Sequence, residues 1–359
     1  MSAPLVMLAA GGTGGHVYPA LALAAELRER GYRLRWIGTR RGLEARVVGA
    51  ADIPLHCLPM RGLRGKGLLQ QLVGLFTLGL SFLQSLFLVL RFNPRVVVGM
   101  GGYASFPAAL AAWLLRRPLL LQEQNAVAGS ANRSLAPLAR CIATGFPGVF
   151  AERPTARYLG NPVRQELADS GRQHPWAWDG RRALRVLTLG GSLGASALNE
   201  SVPESAAGFA GRCEWWHQCG ADHLEATRER YARLAPDVAA RVDAFIDDMA
   251  AAYAWADLVI CRAGALTVAE LAVTGRPAIL VPLPQAIDDH QTLNARFLCA
   301  GGAAVLLPQA SLRDGGLTPL ITDLIAGPET LRAMAAAARE LARPAAAADI
   351  ADCCEALIR

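Results

Sequence analysis

The sequence predicts an α/β protein built as two doubly wound units with parallel sheets, and three observations carry that expectation. Short apolar runs alternate with helical stretches along the chain, the pattern of strands joined by crossover helices in a sheet covered on both faces. The alternation starts again near the middle, and both series open with a strand followed at once by a glycine loop, "LAAGGTGG" and "TLGGSLGAS". At 359 residues the chain is longer than one core usually serves, so two domains are expected.

The strand candidates of the first series are "LVMLAA", "LRWIG", "LHCLP", "RVVVGM", "LLLQEQ" and "CIATG". Those of the second are "LRVLTLG", "CEWWHQCG", "VDAFI", "LVICRAG", "AILVP" and "AAVLLP". The loop "GGTGGHVYP", Gly11 to Pro19, precedes "ALALAAELRERG", whose apolar spacing is helical. The stretch "GNPVRQELADSGRQHPWAWDGRR", with Pro162, Pro175 and little apolar periodicity, reads as the junction of two Rossmann-like units. A cleft is expected between them, because ligands of such sheets bind beyond the carboxyl ends of the strands, where both glycine loops lie.

One helix candidate is out of character. Residues 67–90, "GLLQQLVGLFTLGLSFLQSLFLVL", carry no charge, and as a helix they would reach roughly 36 Å, enough for a bilayer core of about 30 Å. Two facts oppose a span. Gln70, Gly74, Thr77, Ser81 and Gln84 recur at helical spacing, so one stripe is polar or small. A crossing would also place "LVMLAA" and "RVVVGM" on opposite sides of the membrane, although both read as strands of one sheet. The expectation is a surface helix with one side on the sheet and an apolar side meeting lipid, flanked by Arg61, Arg64, Lys66, Arg91 and Arg95. Each such cation contributes on the order of 1 kcal/mol near an anionic surface.

Composition bounds the rest. With 53% hydrophobic and 18% charged residues the chain is too apolar for disorder, and its net charge of +6 favours an acidic partner: phosphate groups, nucleic acid or an anionic membrane face. Eight cysteines form no CxxC pair, and "CEWWHQC" with His217 inside lacks zinc spacing, so buried reduced thiols and a cytoplasmic setting are expected. The N-terminal apolar run lacks a basic leader and reads as a strand.

A glycine loop at a helix start offers N–H groups and the positive dipole end to phosphate. "GGTGGH" lacks the Lys-Ser/Thr ending of a P-loop, neither loop completes G-x-G-x-x-G, and the second strand ends in Thr39, Arg40 and Arg41 instead of a ribose-binding acid. In "CRAGALTVAELAVTGRPAILVP" Gly264 ends a strand, Ala265 to Thr267 open a helix and Glu270 lies on its first turns. Glu270 is either an acceptor for ribose hydroxyls or an acid favoured by the helix dipole. No D-x-D occurs, so no metal site is expected, and a departing diphosphate would be stabilised by N–H groups and dipoles. Asp247–Asp248 and Asp288–Asp289 read as a helix cap and a solvated turn.

The ordered motifs "GGTGGHVYP", "LRGKG", "GMGGY", "EQN", "GNPVR", "GGSLGA", "FIDDMAAAYAWAD", "CRAGALTVAE" and "HQTLNA" resemble, over essentially the full length, the bacterial N-acetylglucosaminyltransferases of peptidoglycan synthesis, the MurG family. The resemblance implies a GT-B fold, two Rossmann-like domains with parallel sheets facing across a cleft. Residues 1–162 with the C-terminal helix 343–359 would form the acceptor and membrane-associating domain, and residues 163–342 the UDP-GlcNAc domain. It implies inverting transfer of GlcNAc from UDP-GlcNAc to the MurNAc 4-hydroxyl of undecaprenyl-diphosphate-linked muramoyl-pentapeptide (lipid I), giving lipid II, at the cytoplasmic face of the inner membrane. Neither a cofactor nor a nucleic-acid partner is implied.

By motif, the resemblance sets Thr13, Gly14 and Gly15 near sugar and phosphates, and Asn125 and Gln291 on GlcNAc hydroxyls. Ser192 and the backbone of Ala265, Leu266 and Thr267, with Val268 and Ala269 following, serve the diphosphate; Arg164 and Glu270 serve the nucleotide, and the Ile246 backbone reads the uracil. His16, where the loop meets its helix, is either the general base or a brace for the loop, and Glu123 is the second candidate for base, otherwise structural. Two positions depart from the family pattern: Leu193 stands where it has glutamine in "GGSQGA", and Gln122 where it has histidine in "HEQN". An epimerase on the same fold, an NADP dehydrogenase and a lipid-binding adaptor are the competing readings.

Overall fold

The computed structural model describes residues 3–40, 42–60, 68–191 and 193–359. The chain divides into two units, Met1–Arg164 with Pro344–Arg359, and Gln165–Arg343. The first runs β1 (Leu5–Ala9), α1 (Gly14–Glu29), β2 (Arg33–Thr39), α2 (Glu44–Ala50), β3 (Leu55–Leu58), α3 (Leu68–Phe92), β4 (Val96–Gly99), α4 (Ser105–Leu114), β5 (Leu119–Glu123), α5 (Ser130–Leu135), β6 (Cys141–Thr144) and β7 (Ala156–Tyr158). Its strands pair in the order β3-β2-β1-β4-β5-β6-β7, all parallel. The central strands β1, β4 and β5 are buried along their whole length. That is why they read as unbroken apolar runs and not as alternation.

The second unit runs α6 (Gln165–Gln173), β8 (Leu184–Leu189), α7 (Ser196–Ala206), β9 (Cys213–Gln218), α8 (Leu224–Leu234), β10 (Ala239–Asp243), α9 (Met249–Trp255), β11 (Leu258–Cys261), α10 (Ala265–Thr274), β12 (Ala278–Leu280), α11 (His290–Ala300), β13 (Ala304–Leu306), α12 (Gln309–Arg313), α13 (Leu317–Ala326) and α14 (Pro328–Leu341). Its sheet has the order β10-β9-β8-β11-β12-β13, again parallel throughout. Each unit thus has its own sheet and its own apolar core.

The last helix, α15 (Ala346–Ile358), belongs to the first unit, where Ile350, Ala351, Cys353 and Cys354 join the core that includes Val17, Leu23 and Leu27 of α1. Arg30 ties it down from the end of α1: the guanidinium meets Asp352 at 2.5 Å and Glu355 at 3.3 Å while its Nε binds Glu26 at 2.7 Å.

Three details differ from the sequence expectation. β7 has only three residues, none buried, and such a short edge strand gives no apolar run to read. β10 begins at Ala239, upstream of the expected "VDAFI", and Phe245 and Ile246 lie in the loop beyond it. The presumed junction is partly helical: α6 buries Leu167, Ala168, Ser170 and Gly171. Its small residues hide the apolar repeat because a Cβ on Gly171 would collide with the Val273 carbonyl of α10.

The helix α3 does not cross a membrane, because β3 before it and β4 after it lie in one sheet. Its polarity is inverted all the same. Gly74, Ser81 and Ser85 face inward together with Leu88 and Val89, while Val73, Leu75, Phe76, Leu80, Leu83, Phe87 and Leu90 face outward, with Phe76 68% exposed. Ser85 Oγ donates to the Ser81 carbonyl at 2.7 Å and Gln84 Nε2 to the Cys57 carbonyl at 3.1 Å, while Ser81 Oγ is buried without a partner among the described residues. The side chains of residues 61–72, which include Arg61, Arg64, Lys66 and Gln70, lie outside the described ones; Arg91 and Arg95 are exposed. Since the outward residues bury nothing, Phe76→Ser and Leu83→Ser should each change unfolding free energy by no more than about 0.5 kcal/mol. Leu88→Ala, at a site 6% exposed, should cost about 2–5 kcal/mol; denaturant titration of the three variants checks the contrast.

Candidate active site

The first glycine loop leaves β1 where the strand order reverses, with β2 on one side of β1 and β4 on the other, the crevice position of a doubly wound sheet. Glu44, at the start of α2, holds this loop from behind. Its buried carboxylate accepts the Gly12 N–H at 3.1 Å, the Thr39 N–H at 2.8 Å and the Thr39 hydroxyl at 2.7 Å. A Cβ on Gly11 would stand 2.6 Å from Glu44 Oε1, and one on Gly38 2.7 Å from its Cγ. Part of the loop's bareness therefore serves a buried carboxylate and not a ligand. Thr13 and Gly15 are exposed, Gly14 half-buried, and α1 begins with the bonds of His16 and Val17 N–H to the Thr13 carbonyl, 3.1 and 3.2 Å.

His16 is the end of a relay of amides. Asn161 Nδ2 donates to the Gln124 carbonyl at 2.9 Å, which turns Asn161 Oδ1 towards Gln122 Nε2, also 2.9 Å away. Gln122 Oε1 then accepts from Gln124 Nε2, which donates as well to the Met100 carbonyl at 2.8 Å. Carbonyl oxygens only accept, so Gln124 must present Oε1 to His16 Nδ1, 2.9 Å away. Nδ1 therefore carries the proton, and the lone pair of the neutral ring is on Nε2. The ring packs over the β4 loop, where a Cβ on Gly101 would lie 3.1 Å from His16 Cε1 and Nδ1.

Glu123 is buried and committed. It accepts from Asn125 N–H at 3.1 Å, Gly129 N–H at 2.9 Å and Asn132 Nδ2 at 2.9 Å, shaping the turn after β5 that carries half-buried Asn125. These contacts assign Glu123 to structure. Gln122, at the position where the family pattern has histidine, is a link in the relay, and its amide does not titrate as a histidine would.

In the second unit Gln218, at the end of β9, plays the part of Glu44. Its Oε1 accepts the Gly191 N–H at 3.0 Å, and its Nε2 donates to the Gly191 and Ala244 carbonyls at 2.9 and 3.0 Å. The loop closes through Gly194, whose φ of 76° and contact with the Cys219 carbonyl leave no space for a side chain. Ser192 lies outside the described residues; Leu193 beside it is 85% exposed.

Across the switch point of this sheet, α10 starts after β11. Gly264 is extended and the first intrahelical bond runs from Val268 N–H to its carbonyl at 3.0 Å, so Ala265, Leu266 and Thr267 form the positive end of the helix. Val268 is buried, Ala269 half-buried, and Glu270 Oε2 accepts the Tyr253 hydroxyl at 3.0 Å. Gln291 Oε1 accepts the Leu283 N–H at 3.0 Å, Ile246 is buried beside exposed Phe245, and Arg164 is half-buried at the end of the first segment. Asp248 caps α9 by accepting the Ala251 N–H at 2.9 Å, and exposed Asp289 accepts the Thr292 hydroxyl at 2.6 Å.

His217 is fully buried between Asn199 Oδ1 at 3.0 Å and the Tyr231 hydroxyl at 3.2 Å, and burial drives its pKa down to about 3. It is a neutral core residue. Among the described residues no three His, Cys, Asp or Glu side chains gather as a metal site would require.

Comparison with known proteins bears on this arrangement. Residues 6–144 match the glycosyltransferase family 28 N-terminal domain and residues 185–352 the family 28 C-terminal domain. The UDP-N-acetylglucosamine–N-acetylmuramyl-(pentapeptide) pyrophosphoryl-undecaprenol N-acetylglucosamine transferase of Alkalilimnicola ehrlichii is 52% identical over 97% of this chain and 98% of its own length. The chain belongs to this glycosyltransferase family, the MurG family. A relative of the same name from Stutzerimonas stutzeri is 50% identical over 97% of each chain. The crystal structure of Acinetobacter baumannii MurG superposes with a TM-score of 0.83 at 36% identity, covering 98% of this chain and 99% of that one. A UDP-GlcNAc 2-epimerase from Neisseria meningitidis, 15% identical with a TM-score of 0.67 over 97% and 98% of the two chains, shares the fold alone. The parallel Rossmann-like sheets expected from the sequence are those of this GT-B family.

Sequence reasoning named the loops but missed the residues behind them: Glu44, Gln124 and Gln218. Glu44→Ala should destabilise the protein by about 1–3 kcal/mol, since it strips buried donors of their acceptor, and should lower turnover while Glu44→Gln loses less; thermal unfolding and initial rates measure both.

Proposed function

We infer that the chain transfers GlcNAc from UDP-GlcNAc to lipid I, undecaprenyl-diphosphate-linked muramoyl-pentapeptide, with inversion, and releases lipid II and UDP. The observation that carries this is the agreement over 97% of the chain with transferases named for these substrates. The inverted polarity of α3 supports it, because a lipid-borne acceptor needs an enzyme that works at a lipid surface. An epimerase, a dehydrogenase or a non-enzymatic adaptor would have no use for that face and both glycine loops together.

In this reading the first unit, Met1–Arg164 with Pro344–Arg359, receives the acceptor, and the second, Gln165–Arg343, binds the donor. His16 Nε2, whose lone pair the amide relay leaves available, takes the proton of the MurNAc 4-hydroxyl as its oxygen attacks the anomeric carbon of GlcNAc. The bond from that carbon to the diphosphate oxygen breaks, and the electron pair leaves with UDP. The positive end of α10 at Ala265, Leu266 and Thr267 stabilises the diphosphate charge, with Val268 and Ala269 setting that turn and Ser192 adding a hydroxyl. Glu270, held by Tyr253, accepts from the ribose; Arg164 and the Ile246 backbone contact the nucleotide. Asn125 and Gln291 bind GlcNAc hydroxyls, and Thr13, Gly14 and Gly15 approach sugar and phosphate through backbone that no side chain obstructs.

The outer face of α3, with Trp113 and Leu114 of neighbouring α4 also exposed and Arg91 and Arg95 at the end of α3, is the seat for an anionic membrane. In this reading the chain attaches peripherally to the cytoplasmic face of the inner membrane, where its lipid-linked acceptor would be met. An exposed apolar patch of this kind on a soluble unit marks an interaction surface.

Incubation with UDP-GlcNAc and a lipid I analogue should yield the β-1,4-linked disaccharide lipid; no product from folded protein would refute the reading. His16→Ala should lower kcat by about 10²–10⁴-fold, the usual weight of a general base, with little change in donor KM, whereas a mere brace would shift KM and leave kcat. Gln124→Leu should lower kcat in the same direction, because it frees the ring to take the other tautomer. Co-sedimentation with vesicles containing anionic lipid at low salt should be lost in Phe76→Ser/Leu83→Ser/Phe87→Ser.

A further inference from the structure

A buried phenol of the second unit reaches the carboxylate that the donor site would offer to a ribose. Tyr253 lies on α9 and is fully buried; its hydroxyl donates to Oε2 of half-buried Glu270 on α10 at 3.0 Å. The two helices meet in a fixed register because α6 packs against both. Ser170 Oγ of α6 donates to the Ala250 carbonyl of α9 at 3.1 Å, and Gly171 sits so close to the Val273 carbonyl of α10 that no side chain fits. The loop carrying Ile246 leads straight into α9, where Asp248 accepts the Ala251 N–H at 2.9 Å. One short helix therefore touches Glu270 and, at its start, continues from the backbone proposed to read uracil.

We propose that Tyr253 is a positioning residue of the nucleotide subsite: its hydroxyl aims the Glu270 carboxylate at the ribose hydroxyls, and the site thereby selects a ribonucleotide over a deoxy analogue. The proposal rests on Glu270 being the ribose acceptor of the donor site. Tyr253 itself touches no substrate; it acts through Glu270.

The need for such a residue follows from the glutamate side chain, whose several torsions spread its carboxylate over many directions when nothing holds it. A rigid donor on one oxygen removes that spread before the ligand arrives, so less ordering opposes binding. The phenol suits the task because it brings one proton and the ionised carboxylate only accepts, with lone pairs enough for further donors. A ribose supplies those donors as hydroxyls. When one is missing, an aligned and half-buried acceptor loses its bond, which is how a site built for a hydroxyl rejects the analogue that lacks it. The alternative role for the same contact is internal: a fully buried phenol needs an acceptor, and Glu270 would merely supply one. That role predicts a change in stability and none in the ranking of nucleotides.

Calorimetry on the full chain with UDP, 2′-deoxy-UDP and 3′-deoxy-UDP tests this without relying on the transfer reaction. The wild type should bind UDP about 10–100-fold more tightly than the deoxy analogue whose missing hydroxyl Glu270 accepts, the weight of a hydrogen bond to a charged group. Tyr253→Phe, which keeps the ring, should weaken UDP by roughly 3–10-fold and shrink that preference by a similar factor. Added to Glu270→Ala, where nothing is left to aim, Tyr253→Phe should cause no further loss; such non-additivity marks a residue acting through another. A Tyr253→Phe protein that melts lower yet ranks the three nucleotides as the wild type does, or an equal loss in both backgrounds, would overturn the proposal. If Glu270→Ala binds UDP as the wild type does, the ribose assignment of Glu270 fails and the proposal with it. A loss in Glu270→Ala with none in Tyr253→Phe removes the positioning role alone. Should the phenylalanine variant fail to fold, a crystal structure of the wild type with UDP decides. Tyr253 bonded to Glu270 and Glu270 to the ribose supports the proposal; a Glu270 turned away from the ribose, or a Tyr253 hydroxyl on another partner, overturns it.

Discussion

Each glycine loop in this protein is held from behind by one buried side chain, and the candidate site depends on that restraint. A loop that offers N–H groups to a phosphate has few bonds of its own, because the amides that would rigidify it are the ones it must present. In the first unit the solution is Glu44, which takes the Gly12 N–H and anchors it to the end of β2 through Thr39. In the second it is Gln218, which accepts from Gly191 N–H and returns a bond to the Gly191 carbonyl. The choice of acid in one and amide in the other follows from the demand. Glu44 meets only donors, whereas Gln218 must serve a donor and two carbonyls, which a carboxylate cannot do.

The same logic of forced donors and acceptors sets the chemistry of His16. Two backbone carbonyls, of Gln124 and Met100, fix the direction of the chain of amides, and it ends at one ring nitrogen. A histidine in place of Gln122, as the family pattern has it, would add a titratable member to that chain. Here the relay is made of amides alone and its polarity does not change with pH. The departure at position 122 therefore alters how the tautomer of His16, the proposed base, is enforced.

What was legible in the sequence follows from what periodicity can report. Fully buried parallel strands such as β1, β4 and β5 announce themselves as apolar runs, and glycine loops as punctuation between a run and a helix, so two parallel sheets could be expected from the residues alone. β7 and α6 escaped because a three-residue edge strand and a helix packed through Ser170 and Gly171 have no apolar signature. The glycine loops were visible; Glu44, Gln124 and Gln218 were not. Glu44 lies 32 residues from Gly12 and Gln124 108 from His16, and nothing in a single sequence marks a polar residue as buried. The roles of Thr13, Asn125 and Gln291 came from resemblance to a family, while Glu270 was already readable at its helix start as a ribose acceptor or a dipole-favoured acid; their ligand contacts stand as proposals on the geometry described.

The inverted helix shows where the usual reading of amphipathicity needs a second fact. An apolar face turned outward and a small, polar face turned inward is unfavourable in water: seven large side chains from Val73 to Leu90 stay exposed, and Ser81 Oγ is buried without a partner among the described residues. Such a helix survives in a folded unit only if something offsets both. Inward, Gly74, Ser81 and Ser85 are buried and α3 packs against α4, so dispersion over the contact replaces large side chains. Outward, the lipid surface proposed above would remove the exposed area from water at about 25 cal/mol per Å², a gain realised only when the membrane is present. The fold keeps both ends of α3 in one sheet, which forbids insertion across the bilayer. The sheet topology rules out a span by α3, and the reversed face suits the peripheral contact proposed above.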